Sequence, residues 1–236
     1  MSFPRYSKYK PSGVEWLGDV PAHWAPMTVK KVLDRNDGGV WGDDPESDDD
    51  PVVLRSTEQS VDGRWLLDDP ARRKLSNAEF DSSVLCEGDL LVTKSSGSEA
   101  HIGKTTLVDK DIANRRCCFS NFMQRLRCSS LLLPRLGWYF FNSQIARAQF
   151  GFYSNSTTGL ANLSGGIIGR LSLALPPLPE QRAIAAFLDR ETAKIDGLVR
   201  EADSAITLLQ ERRSALISAA VTGQIDVRNA ATTEAA

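Results

Sequence analysis

The sequence predicts an α+β globular domain followed by one long C-terminal helix. Three observations carry that reading: short β-favouring runs separated by turn residues up to about Leu175, a proline-rich break over 176–179, and an unbroken heptad of mostly apolar residues beyond it. At 236 residues, 42% hydrophobic and 25% charged, the chain can bury a substantial core. No apolar run approaches the roughly 18 residues of a membrane span. The opening Met1–Lys8 lacks the apolar core of a secretory signal, so a cytoplasmic protein is expected.

Within the first part, Pro51–Arg55 and Leu90–Thr93 are short β-favouring runs, and Gly88-Asp89 sets a turn before the second. Thr105–Val108 is its expected hairpin partner. Trp138, Phe141, Ile145 and Ala148 recur at helical spacing, which predicts one amphipathic helix over Leu136–Phe150. Leu171, Leu173 and Leu175 alternate with Ser172 and Ala174, the pattern of a strand with one buried face. Pro176-Pro177-Leu178-Pro179 then stops that strand, because proline donates nothing to a ladder.

Pro179 and Glu180 suit the first turn of a helix, where a missing N–H costs nothing and a carboxylate meets the positive dipole end. From there to Val221 there is no further proline and Gly197 is the only glycine; Gly223 is a C-terminal stop. Along this stretch Ile184, Leu188, Glu191, Ile195, Leu198, Ala202, Ala205, Leu209, Arg212, Leu216 and Ala219 follow one another at steps of four and three. That is an a/d seam, interrupted only by Glu191 and Arg212. A rod of roughly 60 Å cannot bury such a stripe against itself, so it calls for a partner helix. The expected division is 1–175 globular, 176–228 helical, and 229–236 a disordered tail.

A net charge of −2 hides an uneven distribution. Asp34 to Asp50 holds eight acids against Arg35 alone, and the run from Asp43 to Asp50 reads as a mobile, solvated loop. Lys94 to Arg147 holds nine bases against three acids, enough for a basic face toward phosphate.

Catalytic and metal chemistry finds little support. Cys86, Cys117, Cys118 and Cys128 form no CxxC pair, and His23 and His101 are the only imidazoles, so no structural zinc set can be drawn. Ser98–Thr105 approaches a phosphate-cradling loop but has serine where the first glycine is needed, and runs into a strand rather than a helix. Asp89 and Lys94 outline a metal nuclease, yet Val92 stands where its second acid belongs. There is no GxSxG and no glycine-rich cofactor fingerprint.

Binding remains. Lys94–Lys104 is a small, polar loop with lysine at both ends, and Phe150–Gly159 mixes aromatics with amides and hydroxyls. Such groups contact phosphates and reach base edges. The candidate DNA contacts are Lys94, Ser95, Ser96, Ser98, His101 and Lys104 in the first loop, Tyr153, Asn155, Ser156 and Thr157 in the second, and Arg115 and Arg116 in the basic stretch. The seam residues Ile184, Leu188, Ile195, Leu198, Ala202, Leu209 and Leu216 are the candidate dimerisation surface.

Tyr9-Lys10-Pro11-Ser12-Gly13-Val14-Glu15-Trp16-Leu17-Gly18-Asp19-Val20-Pro21-Ala22-His23-Trp24 resembles the opening of type I restriction–modification specificity subunits. Leu175-Pro176-Pro177-Leu178-Pro179-Glu180-Gln181, with Ile184, Phe187-Leu188-Asp189 and Lys194-Ile195-Asp196, resembles their spacer helix, as do Glu211–Ser218 and Ala220–Val227. Gly88–Leu91, the loop from Gly97 to Lys104, and Thr158-Gly159 before Leu163 fall where the family's target-recognition domain has similar features.

The resemblance implies a non-catalytic subunit whose recognition domain reads one half of a split DNA site. Its helix acts as a ruler and docks a modification subunit that methylates adenine with S-adenosylmethionine; ATP and Mg²⁺ belong to a restriction subunit. Family members carry two recognition domains and two helices, whereas this sequence has one of each. Antiparallel self-association through Ile184–Ala219 is the simplest completion, pairing with a different half the rival. An anti-restriction decoy that binds the methyltransferase without reading DNA, and a metal-dependent nuclease centred on Asp89, are the readings of other classes.

Overall fold

Residue patterns along the chain resolve into ten short strands and six helices in a computed structural model that describes residues 4–96, 101–154 and 163–228. In chain order the described elements are β1 (Tyr9–Pro11), β2 (Asp19–Pro21), β3 (Ala25–Thr28), β4 (Leu33–Gly38), β5 (Val53–Leu54), α1 (Asn77–Ser83), β6 (Leu90–Thr93) and β7 (Thr105–Leu107). Then come α2 (Lys110–Asn114), β8 (Cys118–Phe119), β9 (Met123–Cys128), α3 (Pro134–Asn142), α4 (Gln144–Ser154), α5 (Gly165–Arg170), β10 (Ser172–Leu175) and α6 (Leu178–Val221). The chain divides into two units, Met1–Ala185 and Ala186–Ala236. The mixed fold with a long C-terminal helix is the one the sequence predicts.

The first unit is organised by an antiparallel sheet of order β4-β9-β6-β7. β6 and β7 pair as the expected hairpin. Every residue of β6 is buried, because both faces of the sheet are covered. Leu90 and Val92 face one apolar cluster with Val29, Leu126, Phe141, Phe150 and Leu173, while Leu91 faces another with Leu54, Val108, Ile112 and Phe119. Only Val53 and Leu54 of the Pro51–Arg55 run form a strand, parallel to β8. β10 pairs with β3, with Leu173 and Leu175 inward as their alternation requires.

Where one helix over Leu136–Phe150 is expected, there are two, broken at Ser143 in extended conformation. Asn142 turns its amide to the backbone of Thr105, and the Ser143 hydroxyl donates to the Phe140 carbonyl while accepting the Ala146 N–H. Local side-chain bonds of this kind compete with helix continuation. The break resets the phase: Phe141, Ala146 and Phe150 are buried, whereas Ile145 and Ala148 are exposed.

The acid-rich segment is also not the free loop its composition suggests. Asp43 and Lys74 exchange backbone bonds, Arg73 pairs with Asp44, and Lys74 pairs with Glu46. The Asp50 carboxylate accepts the N–H groups of Glu46 and Ser47, which holds it below its usual range. Repulsion among the acids is relieved by bases some thirty residues on.

The terminal motifs meet at the start of α6. Tyr6 donates its hydroxyl to Glu180, and His23 lies 2.8 Å from the same carboxylate. That bond pushes the Tyr6 phenol up to about 12. Gln181 is fully buried; its amide donates to the carbonyls of Leu131 and Pro176 and accepts the Leu133 N–H. This one side chain locks the helix start to the segment before α3 and to the exit of β10. Replacing it with leucine is expected to cost about 2–3 kcal/mol, because one buried and two part-buried backbone bonds are lost; a urea midpoint unchanged from wild type would contradict the assignment.

In the second unit α6 runs on with most of its apolar side chains open to solvent, and Gly223 ends it at φ +72° with Gln224 N–H bonded back to Ala219. The full helix of 44 residues is roughly 65 Å long. Ile184 and Leu188 are half-buried, but Ile195, Leu198, Ala202, Leu209 and Leu216 are exposed.

Candidate nucleic-acid interface

β4 and β6 both run antiparallel to β9, so the ends of β4 and β6 and the start of β9 share one end of the sheet. Four chain segments gather there. The Lys94 N–H donates to the Phe122 carbonyl at 3.0 Å, and the Lys94 carbonyl accepts the Leu163 N–H at 2.7 Å. Leu163 is fully buried and anchors the chain returning from the second candidate loop. The two loops singled out in the sequence are therefore tied together at their bases.

Lys94 is half-buried, with its ammonium beside Gly38: a β-carbon at Gly38 would stand 3.1 Å from Lys94 Nζ and 3.8 Å from Gln124 Oε1. Burial pushes its pKa down. Next to it, Gln124 Nε2 donates to Asn36 Oδ1 at 2.8 Å, and Asn36 Nδ2 donates to the Gly165 carbonyl at 2.8 Å. A β-carbon at Gly165 would strike both amides, at 2.6 and 2.8 Å, so the glycine is needed for this close approach. Beyond Asn36 a groove of about 700 Å³ is lined by Thr28, Lys30, Asp34, Arg35, Gly166, Gly169 and Arg170 among others. A second cavity of about 490 Å³ is lined by Ser56, Thr57, Ser60, Ser96, His101 and Lys104 among others. Lys94, the Asn36 and Gln124 amides and the hydroxyls of the second cavity thus lie toward this sheet end, while the groove runs along β4 toward its start; together they are the equipment of phosphate and base-edge contact.

The sequence-selected residues separate into groups. Lys94, Ser95 and Ser96 lie half-buried at this end, and His101 flanks the second cavity with its Nδ1 buried and unpartnered among the described residues. Lys104 does not reach outward: it is 3% exposed, and its ammonium donates to the Ser56 and Gln59 carbonyls at 2.9 and 2.7 Å. It braces the loop from inside, because a lysine entering a strand from a buried turn needs local acceptors. Arg115 and Arg116 precede β8, beside Cys117 whose carbonyl binds the Leu85 N–H, at the opposite end of the sheet. Arg116 has φ +52° and lays its guanidinium over Phe80. Tyr153 is half-buried against the core, edge-on to Phe152. Ser98, Asn155, Ser156 and Thr157 lie outside the described residues.

The basic stretch also yields less free charge than its count suggests. Arg125 is fully buried and forks onto Asp37; Arg127 forks onto the buried Asp89 at 2.7 and 2.8 Å. The second Asp89 oxygen also accepts the Cys86 N–H, so this carboxylate is a structural acceptor rather than half of a metal site. Asn36, Gln124, Lys30, Arg35 and Arg170 escaped the sequence reading, because no local motif links four separate segments.

Comparison with known proteins follows the same lines. Residues 45–202 match the family model described as type I restriction modification DNA specificity domain. The type I restriction enzyme EcoKI specificity subunit of Escherichia coli (strain K12) is 25% identical over 213 residues, covering 89% of this chain and 46% of that protein. The StySPI specificity subunit of Salmonella potsdam is 26% identical over 153 residues, 63% of this chain and 31% of that one. Among solved structures, a chain from a study of assembly and conformational transition of the type I R-M system superposes with a TM-score of 0.66 at 18% identity, over 88% of this chain and 48% of that chain. The HsdS subunit from Thermoanaerobacter tengcongensis gives 0.53 at 17% identity, over 81% and 42%. These structures share the fold. The chain spans less than half the length of each of these relatives.

Proposed function

Because this chain belongs to the type I restriction modification DNA specificity family, we propose that it reads double-stranded DNA with the Lys94 end of its sheet and docks an adenine methyltransferase subunit. The chain itself catalyses nothing: S-adenosylmethionine sits in the modification subunit, and ATP and Mg²⁺ serve a restriction subunit that joins the complex. It works in the cytoplasm, beside the DNA it reads. The observation that carries this reading is the convergence of both polar loops on Lys94, which binds Phe122 on one side and Leu163 on the other. Relatives named as specificity subunits support it.

We further propose that α6 pairs with the helix of a second copy. Leu198, Leu209 and Leu216 are 65%, 63% and 57% exposed, an apolar row that water disfavours. Two copies then present two reading heads to the halves of a split, palindromic site.

Co-expression with the modification subunit, followed by genome-wide mapping of methylated adenine, tests the function. One recurring bipartite motif is expected; a complex that assembles but leaves adenines unmethylated would instead indicate a decoy. Lys94 and Lys104 then respond differently. Lys94→Ala weakens DNA binding evenly across sequences and reduces the slope of log K against log salt by about 1. Lys104→Ala leaves that slope alone and destabilises the fold, since its ammonium faces inward. A Lys94→Ala slope equal to wild type would remove it from the contact surface.

A further inference from the structure

The turn between β8 and β9 presents two side chains of which the fold requires only one. Ser120 to Met123 close a tight turn, with the Met123 N–H bonded to the Ser120 carbonyl at 3.0 Å. Asn121 and Phe122 form its tip, both exposed and neither at positive φ. Asparagine suits such a position, because its short amide tolerates turn geometry. Phenylalanine gives the turn nothing. Phe122 is 53% exposed, belongs to neither apolar cluster and has no ring partner among the described residues. The other strongly exposed phenylalanine among the described residues, Phe152, meets Trp16 edge-on with ring centres 5.2 Å apart.

The mount is rigid. Ser120 N–H donates to Leu54 at 2.9 Å, and Val40 N–H donates to Phe119 at 3.0 Å. Gly39 packs backbone against backbone here: a β-carbon on it would lie 2.1 Å from the Phe119 carbonyl oxygen and 2.5 Å from that of Ser120. On the other side the Phe122 carbonyl accepts the N–H groups of Lys94 and Ser95, at 3.0 and 3.4 Å. The turn that carries an amide and a bare aromatic ring is thus bonded through its backbone to Lys94, the residue proposed above to meet phosphate, with little ordering left to do on binding.

We propose that Asn121 and Phe122 read one A·T base pair in the major groove. The Asn121 amide meets the N6 and N7 edge of adenine, and the Phe122 ring covers the C5-methyl group of thymine. A two-residue tip fits a groove about 12 Å wide. The proposal rests on the DNA-reading function above and names a specificity determinant within it.

The test uses the complex with the modification subunit, as wild type, Asn121→Ala, Phe122→Ala and Phe122→Leu. Methylated-adenine maps are expected to show the same motif relaxed at one A·T position, other than the methylated adenine itself, with discrimination there reduced about 10-fold or more in Asn121→Ala and about 3- to 10-fold in Phe122→Ala. On synthetic duplexes, replacing that thymine by uracil removes only the methyl group. It is expected to weaken wild type about 3- to 10-fold, Phe122→Leu similarly, and Phe122→Ala not at all. Melting temperatures equal to wild type confirm that the variants are folded. If wild type methylates a clear motif and the alanine variants keep it at full strength, or uracil is indifferent to wild type, base reading by this turn is overturned while the DNA-reading function stands. If wild type methylates no motif, the DNA-reading function falls and this proposal with it.

Discussion

Arg125→Met is expected to lower the unfolding free energy by about 3–5 kcal/mol, read as a lower urea midpoint with an unchanged denaturant slope. Arg125 is fully buried, yet every arm of its guanidinium is used. Nε and Nη2 fork onto the Asp37 carboxylate at 2.9 and 2.6 Å, Nη2 also donates to the Ser82 carbonyl, and Nη1 donates to that of Val84. The Phe119 ring lies 5.2 Å from its centre. Methionine fills the volume but strands two carbonyls and leaves Asp37 with Arg35 alone. The arginine joins β9 to β4 and to the end of α1, so its loss loosens the frame under the interface.

The same pair sets a pH dependence. Burial alone would raise the Asp37 pKa, but the hydrogen bond and charge of Arg125, with Arg35, more than offset this and hold it below the usual aspartate range. A carboxyl depressed in the folded state contributes stability that is present above its unfolded pKa and lost as pH falls through its lower folded value. Wild type and Asp37→Asn should therefore differ in urea midpoint at pH 6 and converge in strong acid. Divergence that widened toward low pH would contradict the assignment.

The elements visible in the sequence were those whose signal is local. The β6–β7 hairpin shows because Gly88-Asp89 and two β-favouring runs lie close together, and β10 because Leu173 and Leu175 alternate. α6 shows because its heptad has no competing turn residues. The break at Ser143 was hidden, since Asn142 is drawn off by Thr105, whose N–H and carbonyl lie in another element. Charge counting failed for the same reason. Arg125 and Arg127 look like surface bases until Asp37 and Asp89 arrive from distant segments, and the acids after Asp43 look free until Arg73 and Lys74 return. Lys94 was legible as a loop end, but its neighbours Asn36, Gln124 and Phe122 come from β4, β9 and the turn before it.

On the proposed pairing of α6, Leu198→Asp combined with Leu209→Asp is expected to weaken self-association at least about a thousandfold, read by sedimentation as a shift to monomer. Each aspartate removes an apolar contact and would have to surrender its hydration inside the pair. Both positions are exposed in the single chain, so the urea midpoint of the globular unit should not move. The two polar interruptions of the seam make a sharper point. Glu191 and Arg212 stand equally far from its ends, Ile184 and Ala219. In an antiparallel pair centred on the seam, Glu191 of one copy comes within a helical turn of the partner's Arg212, and the reverse contact forms by symmetry. In a parallel pair, Glu191 would face Glu191. Glu191→Arg alone is accordingly expected to weaken the dimer about 10-fold, and adding Arg212→Glu to restore it to within about threefold, with both effects shrinking in high salt. A charge exchange that fails to rescue would rule out the antiparallel arrangement. A wild-type chain that sediments as a monomer at micromolar concentration would remove the second copy, and the paired reading heads would then require a different partner helix.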